Sequence, residues 1–453
     1  MIKTKDAPVV VDSEFLAPRP GLVSRLLFIA VVFLPFQQAL TLEIGFPLKV
    51  TEIGIGLAFV ATFFARKEPF AQTYGKSFSV VLAVLVGVST AYSLVFLTPT
   101  HFDVDVYPRG LVVDVALYCG YGLFALLGWR LMSNRLGTDG IGRALMLAVR
   151  LTAVYCVVQL GAYFAGVALP GFLNGVTQIG NQYGSPLTRN GPFLEGNYLG
   201  FFSGVALFVA LHRKDRLGIV LALSCALYSQ STSAMVAIVV GLIVAMLLRP
   251  TRAVVLSFVG AAILIAIVVF AIPELQLFIE RSLGKLGFGE ADVGNLDSSL
   301  RSRSALLAAG ISVALAYPYF GTGPGRYALW FSDHADFSGG YAPPGIRQIV
   351  GNAYVQLAAE VGLIAGLTFG ILVLTLVIRN RRIGPYPLGL SLFLVVALNA
   401  VPAWTVLTIW VAIAYATSLR PPEPDRGRRV SRKNLKKRHP LTLMQQQPQQ
   451  QLE

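Results

Sequence analysis

Arginine is the residue type in this chain that stands where it is least expected. Arg189 lies in RNGPFLEGNYLG (189–200), and Arg301 and Arg303 lie in DSSLRSRSALLAAG (297–310), both glycine-bearing stretches between apolar runs. A guanidinium is planar, permanently charged and presents a fork of donors, so it suits a diphosphate or a carboxylate. Arg189 is followed by Asn190-Gly191-Pro192 and then by Glu195-Gly196-Asn197. Glycines let a backbone come close to a ligand, and a helix starting there would aim free N–H groups at an anion. The same residues also fit a turn leading into a helix, its arginine paired with Glu195 or with lipid headgroups. Arg301 and Arg303 precede Pro318, Gly321, Gly323, Gly325 and Arg326. They read either as ligand-binding cations near the start of a helix or as snorkelling arginines on an interfacial amphipathic helix. A third stretch holds Gly351-Asn352, Glu360, Gly362 and Gly366. A carboxylate at Glu360, inside an apolar run, is costly unless it is paired or faces a wet cavity. Glu52 and Asp114, near the ends of other runs, are expected to be paired.

These residues must be positioned by membrane helices. Apolar residues make up 55% of the 453 positions and charged residues only 13%, about half the charged share of a soluble chain. Apolar runs recur along the whole length, which makes the bilayer the main solvent. The pattern predicts an all-α integral membrane protein of about twelve spans, at 22–41, 46–65, 78–97, 111–132, 142–166, 196–212, 217–229, 232–248, 253–273, 351–378, 386–401 and 403–419. Lys and Arg concentrate in alternate loops, among them Arg66, Lys67, Arg130, Arg135, Arg143, Arg213 and Arg379. By the positive-inside rule these loops and both termini are cytoplasmic. Arg189, Arg301 and Arg303 then lie against that rule, on the extracytoplasmic side. The domains expected are a cytoplasmic segment 1–21, spans one to nine over 22–273, an extracytoplasmic loop or lid with short helices over 274–350, spans ten to twelve over 351–419, and a tail over 420–453. A loop that long is more often functional than filler.

The formal net charge of +14 does not point to nucleic acid. Nine Lys/Arg against two acids fall between Arg420 and His439, beside the last span, a pattern that anchors on anionic lipid. The tail ends in a Gln-rich, low-complexity run. The first twenty residues hold no apolar core, so no cleaved signal peptide is expected. The three cysteines lie inside apolar runs and read as core residues, and no metal-ligand spacing or P-loop is present. Twelve spans and anion-binding arginines would also suit a transporter or flippase, but no internal repeat is visible.

Four pieces in this order, RNGPFLEGNYLG, STSAMVAI (231–238), RSALLAAGISVALAYPYFGTGPGRY (303–327) and GNAYVQLAAEVGLIAG (351–366), resemble the O-antigen ligase and polymerase superfamily of bacterial envelope glycosyltransferases. The resemblance covers about 189–366; the first half is similar only in hydropathy. It implies a metal-independent and cofactor-free enzyme of the bacterial inner membrane with a periplasmic site. Its donor would be a polyprenyl-diphosphate-linked oligosaccharide. Its other partners would be a glycan acceptor (a lipid-linked repeat unit or lipid A–core), the bilayer and a chain-length regulator. By motif position Arg189 and Arg303 would match the family's diphosphate-binding arginines. Ligases of the family carry a histidine immediately before the asparagine that opens span ten; here that position is Gly351. The departure favours a polymerase, or a ligase with a displaced base. For the base that takes the acceptor's proton, Glu195 comes first because it shares a segment with Arg189, and His334 second because it is the only histidine in 274–350. The catalytic set expected is therefore Arg189, Arg303, Glu195 and His334. Arg301, Asn197, Gly323, Gly325, Arg326, Asn352 and Glu360 are expected to bind substrate.

Overall fold

The computed structural model describes residues 21–36, 41–43, 47–64, 74–97, 110–169, 179–180, 187–248, 293–334, 348–401 and 403–420. Helices dominate them. In chain order these are α1 (Leu22–Val32), α2 (Val50–Phe64), α3 (Lys76–Phe96), α4 (Leu111–Leu131), α5 (Gly137–Ala165), α6 (Gly196–Arg213), α7 (Arg216–Tyr228), α8 (Thr232–Leu248), α9 (Val293–Ala316), α10 (Tyr327–His334), α11 (Ala353–Val361), α12 (Leu363–Asn380), α13 (Pro385–Ala397) and α14 (Leu407–Ser418). Two short antiparallel pairs accompany them: β1 (Thr41–Glu43) with β2 (Pro47–Lys49), and β3 (Ile179–Gly180) with β4 (Leu187–Thr188). The first pair falls at the junction of the spans expected over 22–41 and 46–65, and β2 takes the place of the first residues of the second.

α6 and α14 are apolar all round and buried all round, from Leu199 to Ala210 and from Leu407 to Thr417. A helix of that kind must sit inside other helices. α5 packs against both, α13 and α8 flank α6, and α4 and α12 flank α14. α8 and α13 approach closely where Gly241 faces Gly389: a Cβ on Gly241 would lie 2.8 Å from the Gly389 carbonyl oxygen. The outer faces are apolar as well. Leu367, Ile371, Leu374 and Ile378 form an exposed stripe on one side of α12, which suits hydrocarbon rather than water.

Among the described residues three helical stretches are long and apolar enough to cross a bilayer: Lys76–Phe96, Leu111–Ala165 and Leu363–Asn380. The second joins α4 to α5 through a π-helical turn, Met132–Leu136. The remaining apolar helices are shorter than a bilayer's roughly twenty residues, so the twelve expected spans do not appear helix for helix. Span nine, 253–273, lies outside the described residues. Span ten was expected as one helix over 351–378 and is instead broken into α11 and α12. Gly362, at φ +106°, makes the break; a Cβ there would meet the Tyr319 carbonyl oxygen at 2.3 Å. The chain over 318–323 fills the gap, with the Leu363 amide donating to the Pro318 carbonyl at 2.8 Å and the Gly323 amide to the Glu360 carbonyl at 2.8 Å.

Candidate active site

Arg189 is held by its neighbours in sequence. Thr188 and Asn190 are both fully buried. The Thr188 hydroxyl hydrogen-bonds the Tyr228 phenol of α7. Tyr228 donates to Gln159 Oε1 of α5 at 3.1 Å, and Gln159 Nε2 donates to Asn190 Oδ1 at 3.2 Å. Asn190 Nδ2 closes the turn on the Phe193 carbonyl at 2.7 Å. A buried, satisfied network of this kind leaves its residues few alternatives. The Arg189 side chain lies over the first turn of α6, where a Cβ on Gly196 would come within 3.0 Å of Nε and 2.4 Å of the Ser229 carbonyl oxygen. Burial lowers the Arg189 guanidinium's proton affinity from its ordinary value; the Glu195 carboxylate acts in the opposite sense and the Arg303 cation in the same sense. The Arg303 cation of α9, remote from Arg189 in sequence, is thus among the charges that act on it.

Asn197, in the first turn of α6, accepts from the Ser231 hydroxyl at 3.1 Å. Ser231 precedes α8, so this bond ties the first and second of the sequence pieces together. Arg303 is exposed on α9. The side chains of Arg301 and His334, on α9 and α10, lie outside the described residues.

The glycine turn meets protein rather than open space. Gly321 (φ +63°) and Gly323 (φ +100°) press against the Glu360 carbonyl group and Ser93 Oγ, with Cβ positions 2.4 and 2.3 Å from them. Arg326 is fully buried and donates to the Ser93 carbonyl and, at 2.9 Å, to the Leu97 carbonyl. The fork thus donates to carbonyls at the end of α3 and locks the turn there. Asn352 is likewise engaged locally. Its Oδ1 accepts from the amides of Tyr354 and Val355 at 3.0 and 3.2 Å, the N-cap of α11, while Nδ2 reaches Asn399 at 3.1 Å. At Gly351 (φ +75°) a Cβ would meet nothing within 4 Å.

A cavity of about 380 Å³ is walled by the first turns of α2 and α6, the middle of α4, α11 and the approach to α14, within the size range of small-molecule sites. Its walls include Glu52, Glu360, Tyr118, Tyr121, Tyr198 and Trp404. Leu194 and Tyr198 line it from either side of Glu195 and Gly196, which joins the cavity to the Arg189 group. Glu360 is fixed at both oxygens: Oε1 accepts from Gln356 Nε2 at 2.7 Å and Oε2 from the Trp404 indole at 2.9 Å. Gln356 is in turn oriented by the Val350 amide at 2.9 Å. Glu52 pairs loosely with Lys49, whose amide is 3.2 Å from Oε2 and whose ammonium is 3.6 Å from Oε1. Lys49 also stands 5.8 Å from the centre of the Tyr121 ring. Sequence reasoning missed Trp404, Gln356 and the tyrosines, which come from four separate helices or their approaches. Only the two membrane carboxylates gave a signal.

Residues 217–370 match the family model described as O-antigen ligase. The match spans α7 to the first half of α12 and supports membership of this region in the O-antigen ligase and polymerase superfamily. No curated protein and no solved structure matches the chain.

Proposed function

We propose that this chain, with its O-antigen ligase family region, is an inner-membrane glycosyltransferase that polymerises an envelope polysaccharide from a polyprenyl-diphosphate-linked oligosaccharide at the periplasmic face. The observation that carries the reading is Arg189 over the first turn of α6, with the Arg303 cation among the charges that act on it. Two like charges that influence each other can be bridged by an anion of more than one charge. In the reaction an acceptor hydroxyl attacks the donor's anomeric carbon. The bond from that carbon to the diphosphate oxygen breaks, and the electron pair leaves with the polyprenyl diphosphate. Arg189 and Arg303 stabilise the charge that builds on the leaving group, an effect strengthened where water is scarce. Arg301 would extend this cationic surface along α9. Glu195, beside Arg189, would orient its guanidinium or take the acceptor proton, and His334 is the other candidate for that proton. Asn197 and Asn352 would shape the site through the starts of α6 and α11.

Gly351 favours polymerisation over ligation, since it offers no group to serve as base. The glycans of a deletion strain, separated by gel and mass spectrometry, test the reading. A polymerase deletion leaves single repeat units on the acceptor or carrier. Full-length polymer held on polyprenyl diphosphate would instead assign the chain as a ligase, and an unchanged glycan would reject both.

A further inference from the structure

The cavity holds two carboxylates with different partners, and the difference assigns them different work. Glu360 has one strong donor on each oxygen, from Gln356 and Trp404. A carboxylate held in that way is fixed in direction and has its lone pairs partly engaged. Glu52, among the described residues, has only the Lys49 amide at 3.2 Å and the Lys49 ammonium at 3.6 Å, the latter beyond hydrogen-bond distance. It is 7% exposed and lies on the cavity wall. Around both stand Tyr118, Tyr121, Tyr198 and Trp404. Aromatic faces take the apolar face of a sugar ring, and carboxylates and amides take its hydroxyls. An anionic, aromatic chamber of this composition does not suit a diphosphate, which belongs with Arg189. It suits an uncharged glycan.

The geometry points to Glu52 as the base of the acceptor site: the cavity receives the acceptor sugar, Glu360 orients it, and Glu52 takes the proton from its attacking hydroxyl. The assignment rests on the glycosyltransferase reading above and goes beyond it by giving the acceptor a place and by moving the proton's destination from Glu195 or His334 to Glu52. The step balances. The hydroxyl oxygen bonds to the anomeric carbon, the diphosphate leaves with its electron pair, and the hydroxyl proton moves to the Glu52 carboxylate. The Lys49 ammonium stands 3.6 Å from Glu52 Oε1, and this loose contact leaves the carboxylate able to face the acceptor.

The test uses the purified full chain in lipid nanodiscs, with a lipid extract of the deletion strain supplying donor and acceptor. Glu52→Gln keeps the size of the side chain but cannot take a proton. It is expected to lower turnover at least about a hundred-fold, the usual scale for a lost general base, with half-saturation by the extract changed less than about three-fold and the acid limb of the rate–pH profile lost. Glu52→Asp keeps the charge and the Lys49 pair and is expected to keep its fold while losing about ten-fold in rate. Turnover within about three-fold of wild type in Glu52→Gln, or a wild-type rate in Glu52→Asp, overturns the assignment. If Arg189→Ala is inactive in the same preparation, the glycosyltransferase reading survives that result. If the wild-type chain forms no glycosidic bond, the reading and the assignment fall together.

Discussion

The two ends of the helical bundle carry arginines in different company. At the end where α5 begins and α6 finishes, Arg213 meets Asp139 at 2.8 Å and Arg150 meets Asp215 at 2.9 Å. Arg379 donates to the carbonyls of Ala416 and Thr417 at 3.1 and 3.0 Å, finishing α14. Asp215 also caps α7 through the Gly218 amide at 2.9 Å. These guanidiniums satisfy helix ends and acids, as the chain's own folding requires. At the other end Arg189 is pinned by a buried network, and its charged surroundings include a second arginine. The residue type is the same; the neighbours decide whether it closes the fold or leaves positive charge beside a cavity. Arg326 shows that residue type alone is not enough, since it is fully buried and donates to the carbonyls of Ser93 and Leu97 at the end of α3.

The largest effect that sharpens this comparison is on catalysis. Arg189→Ala and Arg303→Ala are each expected to lower polymer formation about 10²-fold or more, the scale of removing one donor from a developing anion. Arg150→Ala, at the opposite end, is expected to stay within about two-fold of wild type. Gel-resolved glycan from complemented deletion strains measures all three. If Arg150→Ala and Arg189→Ala failed equally, the two ends would not differ in kind. Next in size is Gly321→Ala. It places a Cβ 2.4 Å from the Glu360 carbonyl carbon at a positive φ, and backbone strain of that kind costs about 1–3 kcal/mol. A clear fall in melting temperature is expected, and an unchanged melting curve would show that the turn gives way easily.

Trp404→Phe is a smaller perturbation. It removes the donor to Glu360 Oε2 while keeping an aromatic wall. A hydrogen bond to a charged group contributes about 1.5–3 kcal/mol, and turnover is expected to fall about ten-fold as Glu360 loses its direction. A melting shift without a rate change would make the bond structural only. The smallest effect belongs to the opposite end again. Arg213→Ala breaks an ion pair with a carboxylate that is 66% exposed, a contribution below about 1 kcal/mol, with activity unaltered.

Much of the candidate site was legible because its residues are clustered in sequence. Arg189, Glu195 and Asn197 share one turn and one helix start, so their proximity needed no tertiary knowledge. The helical character of the membrane-facing segments followed from composition. What was not legible depends on which distant helices meet. Glu52 and Glu360 each read as a membrane carboxylate in need of a partner, and their joining in one cavity is decided by how α2 and α11 pack. The break between α11 and α12 had a visible signal in Gly362, but hydropathy runs straight through it. The glycines of 321–325 were seen as backbone able to approach a ligand, and what approaches is the end of α11. Arg326 could not be told from Arg303 by type or flanking sequence; burial separates them.

The most direct test of the central claim is whether the purified chain forms a glycosidic bond at the arginine end. Wild-type, Arg189→Ala and Arg150→Ala proteins in nanodiscs would be given lipid-linked repeat units and their products resolved by mass spectrometry. The account predicts lengthened glycan on polyprenyl diphosphate with wild type and Arg150→Ala, and none with Arg189→Ala. Lengthening by Arg189→Ala at the wild-type rate, or no new bond from wild type, would contradict it.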